Sequence, residues 1–146
     1  MSKPESISLD QTHHIRDSCL CLHVQRAARV VARRFDDALR PLGLTNGQFS
    51  LMVSLNRPQP ASMNAVASLL AVDRTTLTAN LKPLERRGLL KVSVDKNDRR
   101  NRVIALTAKG RKLLKAAYPV WEQTHTAQEA LLARPAKLRS ELLALS

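Results

Sequence analysis

The spacing of apolar residues changes at Gly88 from the period of a helix to the period of a strand. Upstream, leucines recur at intervals of four and three residues, which places them on one face of a helix. These leucines are Leu77, Leu81 and Leu84. Downstream, apolar residues alternate with polar ones, which is typical of a half-buried strand. These residues are Leu90, Val92 and Val94. Because glycine readily adopts the left-handed conformation that ends a helix, the sequence predicts a helix that stops at Gly88 and leads into a strand.

A polar and strongly basic segment, residues 95–102, follows the predicted strand. It contains no apolar residue, and four of its eight side chains are cationic. Residues 103–106 are all apolar and can form a returning strand. We therefore predict a hairpin with a basic tip.

Residues that cap helix N-termini precede the hairpin at Ser62 and Asp73. Ser62 introduces a short amphipathic segment, residues 63–70, and Asp73 introduces the helix that stops at Gly88. In the shorter helix, the residues expected to face inward are Val66, Leu69 and Leu70. Two helices joined by a turn of about three residues form a helix-turn-helix.

The chain has a formal net charge of +12, and residues 73–112 hold twelve Lys and Arg residues against four Asp and Glu residues. Such an excess favours a polyanion or an acidic membrane surface as partner. A membrane-surface helix would oppose its cations with an aromatic-bearing apolar face, but residues 73–112 contain no aromatic residue. The same lack argues against a single-strand binder that stacks bases on aromatic rings. Double-stranded DNA is the predicted partner.

Two groups of side chains are the candidate DNA contacts. The outward face of the helix after Asp73 is hydroxyl-bearing and basic, and threonines near a helix N-terminus can bind phosphates or base edges. Its candidate contacts are Arg74, Thr75, Thr76, Thr78, Ala79 and Lys82. An arginine on a narrow hairpin suits the negatively charged minor groove of A·T-rich DNA. The candidates at the hairpin tip are Asp98, Arg99, Arg100 and Arg102, of which Asp98 is expected to brace the arginines.

Three segments of the sequence resemble the MarR family of bacterial transcriptional regulators. They are LGLTNGQFSLM, DRTTLTANLKPLERRGLL and DKNDRRNRVIALTAKGRKLL, the last with an Asp-x-Arg pattern at Asp98 and Arg100. The resemblance implies a mainly α fold with a small two- to three-stranded β wing, in which dimerisation helices flank a winged helix-turn-helix. It also implies that residues 74–87 form a recognition helix in the major groove and that Arg100 enters the minor groove.

A single domain of this type is expected to have four parts. Residues 1–17 are polar and lack periodicity, so we expect a loose or partner-ordered N-terminal arm. By the resemblance, residues 18–43 form the N-terminal dimerisation helix and residues 44–107 form the winged helix-turn-helix DNA-binding region. Residues 108–146 form the C-terminal dimerisation helices.

The resemblance implies a homodimer that binds a pseudo-palindromic operator. We expect a repressor released by a small-molecule effector, for which the family's aromatic acids, bound between dimer base and winged helix, are one option. Tyr118 and Trp121 are expected to pack the long C-terminal helix rather than line a cofactor site. Two alternatives stay open: a redox-sensing repressor switched by oxidation of Cys21, and a non-specific architectural DNA-binding protein.

The chain has two cysteines, Cys19 and Cys21. On a helix, side chains two residues apart point to nearly opposite sides, so a disulfide between them would strain the backbone. In the peroxide-sensing branch of the MarR family a first-helix cysteine is oxidised, and the resemblance places Cys21 at that position, although Gln25 and Phe35 replace the tyrosines that hold its thiol. Cys19 and His23, four residues apart, could share a metal ion, but two ligands alone do not predict a metal site. Plain buried thiols, redox sensing and metal binding are the three interpretations.

Catalytic motifs are missing from the sequence, which has no nucleophile elbow, no glycine-rich phosphate loop and no carboxylate pair in an apolar context. We expect neither an enzyme nor a cofactor. No apolar run approaches the ~18 residues of a membrane span, and the first residues lack the apolar core of a signal peptide. The expected location is the cytoplasm, without a membrane partner.

Overall fold

The part of the chain that the structure describes, residues 6–146, contains seven α-helices and three short β-strands. The structure is a computed structural model. The helices are α1 (Leu9–Ser18), α2 (Leu20–Leu39), α3 (Asn46–Ser54), α4 (Met63–Leu70), α5 (Arg74–Arg86), α6 (Ala108–Glu129) and α7 (Pro135–Ala144), and a 3₁₀ turn at Arg40–Leu42 follows α2. The strands are β1 (Ala61–Ser62), β2 (Leu90–Val94) and β3 (Arg102–Leu106). Within residues 6–146, no helix is both long and apolar enough to cross a membrane.

The three strands form one antiparallel sheet in the order β1-β3-β2. β2 and β3 are the predicted hairpin, paired from Leu90 opposite Leu106 to Val94 opposite Arg102. β1 adds a third strand by pairing Ala61 with Ile104. The predicted mainly α fold with a small β wing is confirmed.

Side-chain caps fix the helix boundaries of the winged region. The hydroxyl or carboxylate oxygens of Thr45, Ser62, Asp73 and Thr107 each accept the backbone N–H three residues later. Gly88 has a φ of +70° and ends the segment after α5, as its position predicts. The local signals of the sequence therefore set where α3, α4, α5 and α6 begin.

The core lies where α3, α4 and α5 meet the sheet and the first half of α6. Leu77, Leu81 and Leu84 are at most 3% exposed, which confirms the predicted inner face of α5. Val66 of α4 is also buried, but Leu69, predicted to face inward, is 63% exposed. Leu69 borders an open cavity between α4 and α6, so no side chain covers it.

Residues 9–17 of the predicted loose or partner-ordered arm lie in α1, so this part of the arm is not loose. Ser8 accepts the N–H of Gln11, and the Gln11 side chain accepts the N–H of Ser8, a capping box that starts the helix without a hydrophobic repeat. No residue of α1 is buried. Residues 1–5 of the predicted arm lie outside the described residues.

Candidate DNA-binding surface and adjoining cavity

The outward face of α5 carries the six predicted recognition-helix residues. All six are exposed: Arg74, Thr75, Thr76, Thr78, Ala79 and Lys82. The leucines on the opposite face anchor α5 in the core, so the helix presents these side chains from a fixed support. Their contact with DNA stays a prediction.

The three threonines of this face differ in how their hydroxyls are used. Thr76 donates from Oγ1 to Oδ2 of Asp73 at 2.8 Å, and Thr78 donates to the backbone carbonyl of Arg74 at 2.9 Å. Among the described residues, the Thr75 hydroxyl has no hydrogen-bond partner. The Thr75 hydroxyl can therefore donate to a phosphate, or donate to or accept from a base edge. The hydroxyl protons of Thr76 and Thr78 are already used in hydrogen bonds within the chain.

Asp73 serves the helix N-terminus rather than the outer face. Its carboxylate accepts the backbone N–H of Thr76 at 2.7 Å in addition to the Thr76 hydroxyl. These two hydrogen bonds, the backbone one first, hold the pKa of the Asp73 carboxyl below its ordinary value, against a smaller effect of desolvation. The acid at the start of a basic face is thus a helix cap.

The other end of α5 is held by hydrogen bonds that the sequence did not predict. Lys109 donates from Nζ to the carbonyl of Arg87 at 2.8 Å, and Thr107 donates from Oγ1 to the carbonyl of Gly88 at 2.6 Å. The carboxylate of Glu85 accepts the N–H of Val92 in β2 at 3.0 Å. These bonds tie the end of α5 to both the wing and α6.

The wing tip is shaped by Asp98. Its carboxylate accepts the backbone N–H of Arg100 at 3.1 Å, and its backbone carbonyl accepts the N–H of Asn101 at 2.9 Å. The Nε of Arg100 lies 3.9 Å from the same carboxylate, but the Arg100 side chain is 95% exposed, so this ion pair holds it only weakly. Asp98 therefore braces the turn, while Arg99, Arg100 and Arg102 remain exposed at the tip.

A cavity of about 660 Å³ opens between α3, α4 and α6. Trp121 forms its aromatic wall with Phe49, whose ring centroid is 6.5 Å away, and Tyr118, at 5.9 Å. Arg57 is the cation of this cavity, and an adjoining cavity of about 580 Å³ adds Arg111 and Lys115. Trp121 packs against the core, whereas Tyr118 is 54% exposed, and both line this cavity, which the sequence did not assign to any residue.

The two cysteines lie around the junction between α1 and α2. Cys19 is half-buried and caps α2, with its Sγ accepting the N–H of Leu22 at 3.5 Å, so the argument that both cysteines lie within one helix does not hold. Cys21 is exposed, and its Sγ accepts a hydrogen bond from Gln25 at 3.2 Å. In the single chain, neither thiol is fully buried.

Metal binding through Cys19 and His23 has no support in the geometry. The Nδ1 of His23 pairs with the backbone carbonyl of Cys19 at 2.7 Å, not with its thiol. No group of three or more His, Cys, Asp and Glu side chains suited to a metal ion exists in the described part of the chain.

Apolar side chains are exposed along α1, α2 and α7. Neither α1 nor α7 contains a buried residue. Examples from the three helices are Leu9, Ile15, Leu20, Leu22, Leu142 and Leu143. So many exposed apolar side chains on three helices of a single chain are typical of a protein-protein interface.

Comparison with known proteins connects this geometry to one family. A family model described as MarR family matches residues 44–101. The chain is 36% identical over 97 residues to the HTH-type transcriptional regulator TtmR of Methylorubrum extorquens (strain PA1), an alignment that covers 66% of this chain and 50% of that protein. The chain spans only about half to two thirds of the length of the curated relatives it matches.

Solved structures match over most of their length. The M. tuberculosis transcriptional regulator MosR in complex with DNA superposes with a TM-score of 0.81 at 38% identity, covering 88% of this chain and 93% of that chain. The transcriptional repressor CouR bound to a 23-mer DNA duplex gives a TM-score of 0.75 at 30% identity, covering 90% of this chain and 92% of that chain. CouR is a protein of Rhodococcus jostii RHA1.

Proposed function

Because the chain belongs to the MarR family of transcriptional regulators, we propose that it binds double-stranded DNA at a pseudo-palindromic operator and acts as a repressor. The observation that carries the proposal is that Arg74, at the start of α5, and Arg102, at the start of β3 beside the wing tip, border the same notch. The recognition helix and the hairpin thus form one basic surface. Such a surface suits the major groove and the adjacent minor groove of one duplex.

A homodimer is part of this proposal. The exposed apolar residues of α1, α2 and α7 support it, since they lie outside the winged region and nothing in residues 6–146 covers them. A two-fold axis through these helices would present two copies of α5 to half-sites about 34 Å apart. Two wings and two helices also double the number of phosphates contacted, which steepens the salt dependence of binding.

The cavity beside Trp121 is the proposed effector site. Its aromatic wall suits a planar ring, and Arg57 offers a charge-assisted hydrogen bond to a carboxylate. A small aromatic acid is therefore the proposed effector class. Because α3, α4 and α6 all border the cavity, an occupant would act on the elements that connect the dimer helices to α5.

Oxidation of Cys21 is the second candidate for the releasing signal. Its exposed thiol at the start of α2, and the position of Cys19 at the helix junction, favour access by an oxidant. A Cys21→Ser protein that still leaves its operator on peroxide treatment would exclude this mechanism. A Cys21→Ser protein that stays bound, while aromatic acids still release it, would separate the two signals.

A non-specific architectural DNA-binding protein would share the charge but not need the exposed face of α5. The deciding experiment measures affinity for a fragment of the promoter region of its own gene and for the same fragment with its inverted repeat scrambled, at several salt concentrations. We expect the intact repeat to bind at least about 10³-fold more tightly. Equal affinities at every salt concentration would contradict a specific repressor and favour the architectural protein.

A further inference from the structure

A small notch separates the start of α5 from the start of β3 beside the wing tip. Its volume is about 70 Å³, enough for a single phosphate-sized group. Three structural elements border it, namely the start of α4, the start of α5 and the start of β3. Its lining residues are Ser62, Met63, Asn64, Arg74, Asn101 and Arg102. No carboxylate is among them.

Two arginines, Arg74 and Arg102, line this notch. Neither the Arg74 nor the Arg102 side chain forms an ion pair with any residue of the described chain. The nearest acid in sequence, Asp73, is engaged with Thr76. Two like charges that border one notch repel each other, so an anion between them would relieve the repulsion.

Secondary structure fixes the backbone positions of both arginines. Arg102 is the first residue of β3 and is paired with Val94 of β2, while Arg74 is the first residue of α5, directly after its cap. Asn64 lies in the first turn of α4 and offers a side-chain amide to the same space. Cations and an amide donor that come from three separate elements can together surround one tetrahedral anion.

We propose that this notch binds one phosphate of the DNA backbone, between the groove entered by α5 and the groove entered by the wing, and that Asn64 belongs to the DNA contact. The inference rests on the proposed DNA binding. It assigns the notch a positioning role, because a phosphate contact fixes the register of the protein on the duplex and carries no base information.

The test uses Asn64→Asp, which places a negative charge in the notch, with Ala65→Asp as the matched control. Both substitutions put an acid in the first turn of α4, where it favours the helix dipole, so both proteins should fold. Ala65 is exposed and does not border the notch. Affinity for operator DNA and for scrambled DNA is measured for the wild type and both variants over a range of salt concentrations.

We expect Asn64→Asp to weaken binding to both DNAs by the same factor, at least about tenfold, and to lower the salt slope by about 0.9 per half-site. Ala65→Asp should weaken binding less than about threefold. Equal losses in the two variants, or a loss confined to operator DNA, would overturn the notch assignment while leaving the repressor proposal standing. If the wild type does not distinguish the two DNAs, the repressor proposal fails, yet a selective loss in Asn64→Asp would still support the phosphate contact.

Discussion

The guanidinium of Arg87 donates a hydrogen bond of 2.6 Å from Nη1 to the backbone carbonyl of Gly43. Arg87 follows α5, and Gly43 ends the turn after α2, so the bond joins positions 44 residues apart. A Cβ on Gly43 would lie 3.1 Å from Nη2 of Arg87, which shows how closely the two residues pack. The proposed recognition helix is thereby fastened to the end of a proposed dimer helix.

Replacing Arg87 should loosen this connection. We expect Arg87→Ala to lower the free energy of unfolding by about 1–2 kcal/mol, because a charged donor and the packing of its stem are lost. Arg86→Ala is the matched control: Arg86 is exposed and its side chain has no hydrogen bond within residues 6–146, so the change should stay within about 0.5 kcal/mol. Urea unfolding measures both. Equal effects of the two substitutions would contradict the role given to Arg87.

Gly110 should tolerate no side chain. A Cβ at this position would overlap the backbone carbonyl oxygen of Leu89 and approach a methyl group of Leu106 to 3.3 Å. Since backbone cannot move aside as a flexible side chain can, Gly110→Ala should cost about 3 kcal/mol or more. Gly47→Ala, where a Cβ would meet nothing within 4 Å, should instead stabilise the protein by about 0.5–1 kcal/mol. Thermal unfolding gives the melting temperatures of the two variants. If both melting temperatures shifted in the same direction from that of the wild type, this account would be refuted.

The sequence predicts those parts of the fold that depend on neighbours within a few residues. Ser62 and Asp73 are each placed directly before an apolar repeat, and each caps the predicted helix. The change of period at Gly88 gave the end of α5 and the start of the wing. The exposure of the α5 face followed from the same period, because burying the three leucines leaves the other positions outside.

Contacts between distant segments were beyond sequence reasoning. The two-residue strand β1 exists only because Ala61 meets Ile104, and the exposure of Leu69 depends on the space left by α6. The bond between Arg87 and Gly43 has no local signal. The hydrogen bond from Thr76 to Asp73, by contrast, has a local sequence signal, because a threonine three residues after an aspartate cap can reach its carboxylate.

Loss of the wing arginine should weaken DNA binding more than loss of an equal charge elsewhere. We expect Arg100→Ala to reduce operator affinity by about 1–3 kcal/mol, or about 5- to 150-fold, since a minor-groove contact is lost. Arg40→Ala removes the same charge from an exposed position next to the turn that ends at Gly43 and should change affinity less than about threefold. Fluorescence anisotropy with labelled operator gives both values. An Arg100→Ala protein that binds as tightly as the wild type would refute the wing assignment.

Protonation of the Asp36 carboxylate should lower the free energy of unfolding at acid pH. The backbone N–H of Asn46, at 2.7 Å, and then its side-chain amide, at 2.8 Å, hold the pKa of the Asp36 carboxyl below its ordinary value, against partial desolvation. Because the folded-state pKa is depressed, this contribution is complete above the unfolded pKa of about 3.9 and is lost as pH falls through the folded value.

The measurement for Asp36 is the urea midpoint of the wild type and of Asp36→Asn between about pH 5 and about pH 2. The urea midpoints of the two proteins should differ most near about pH 5 and should converge near about pH 2. Asp10→Asn is the control, since the Asp10 side chain has no hydrogen bond or ion pair among the described residues. Parallel curves for wild type and Asp36→Asn over the whole range would contradict the prediction.

Trp121 should report directly on the proposed effector site, because it is the one tryptophan of the chain and lines the cavity. Its ring stacks on His125 with centroids 4.7 Å apart and faces Phe49 on the cavity side. Titration with aromatic carboxylates such as benzoate and 4-hydroxybenzoate should change its emission saturably. Arg57→Gln should weaken the binding of a responding acid about tenfold or more, as expected for a lost charge-assisted hydrogen bond. Arg26→Gln, an exposed position of α2 away from the cavity, should leave it unchanged. If no acid of the panel alters the emission, or if both variants weaken binding equally, the effector does not bind in this cavity.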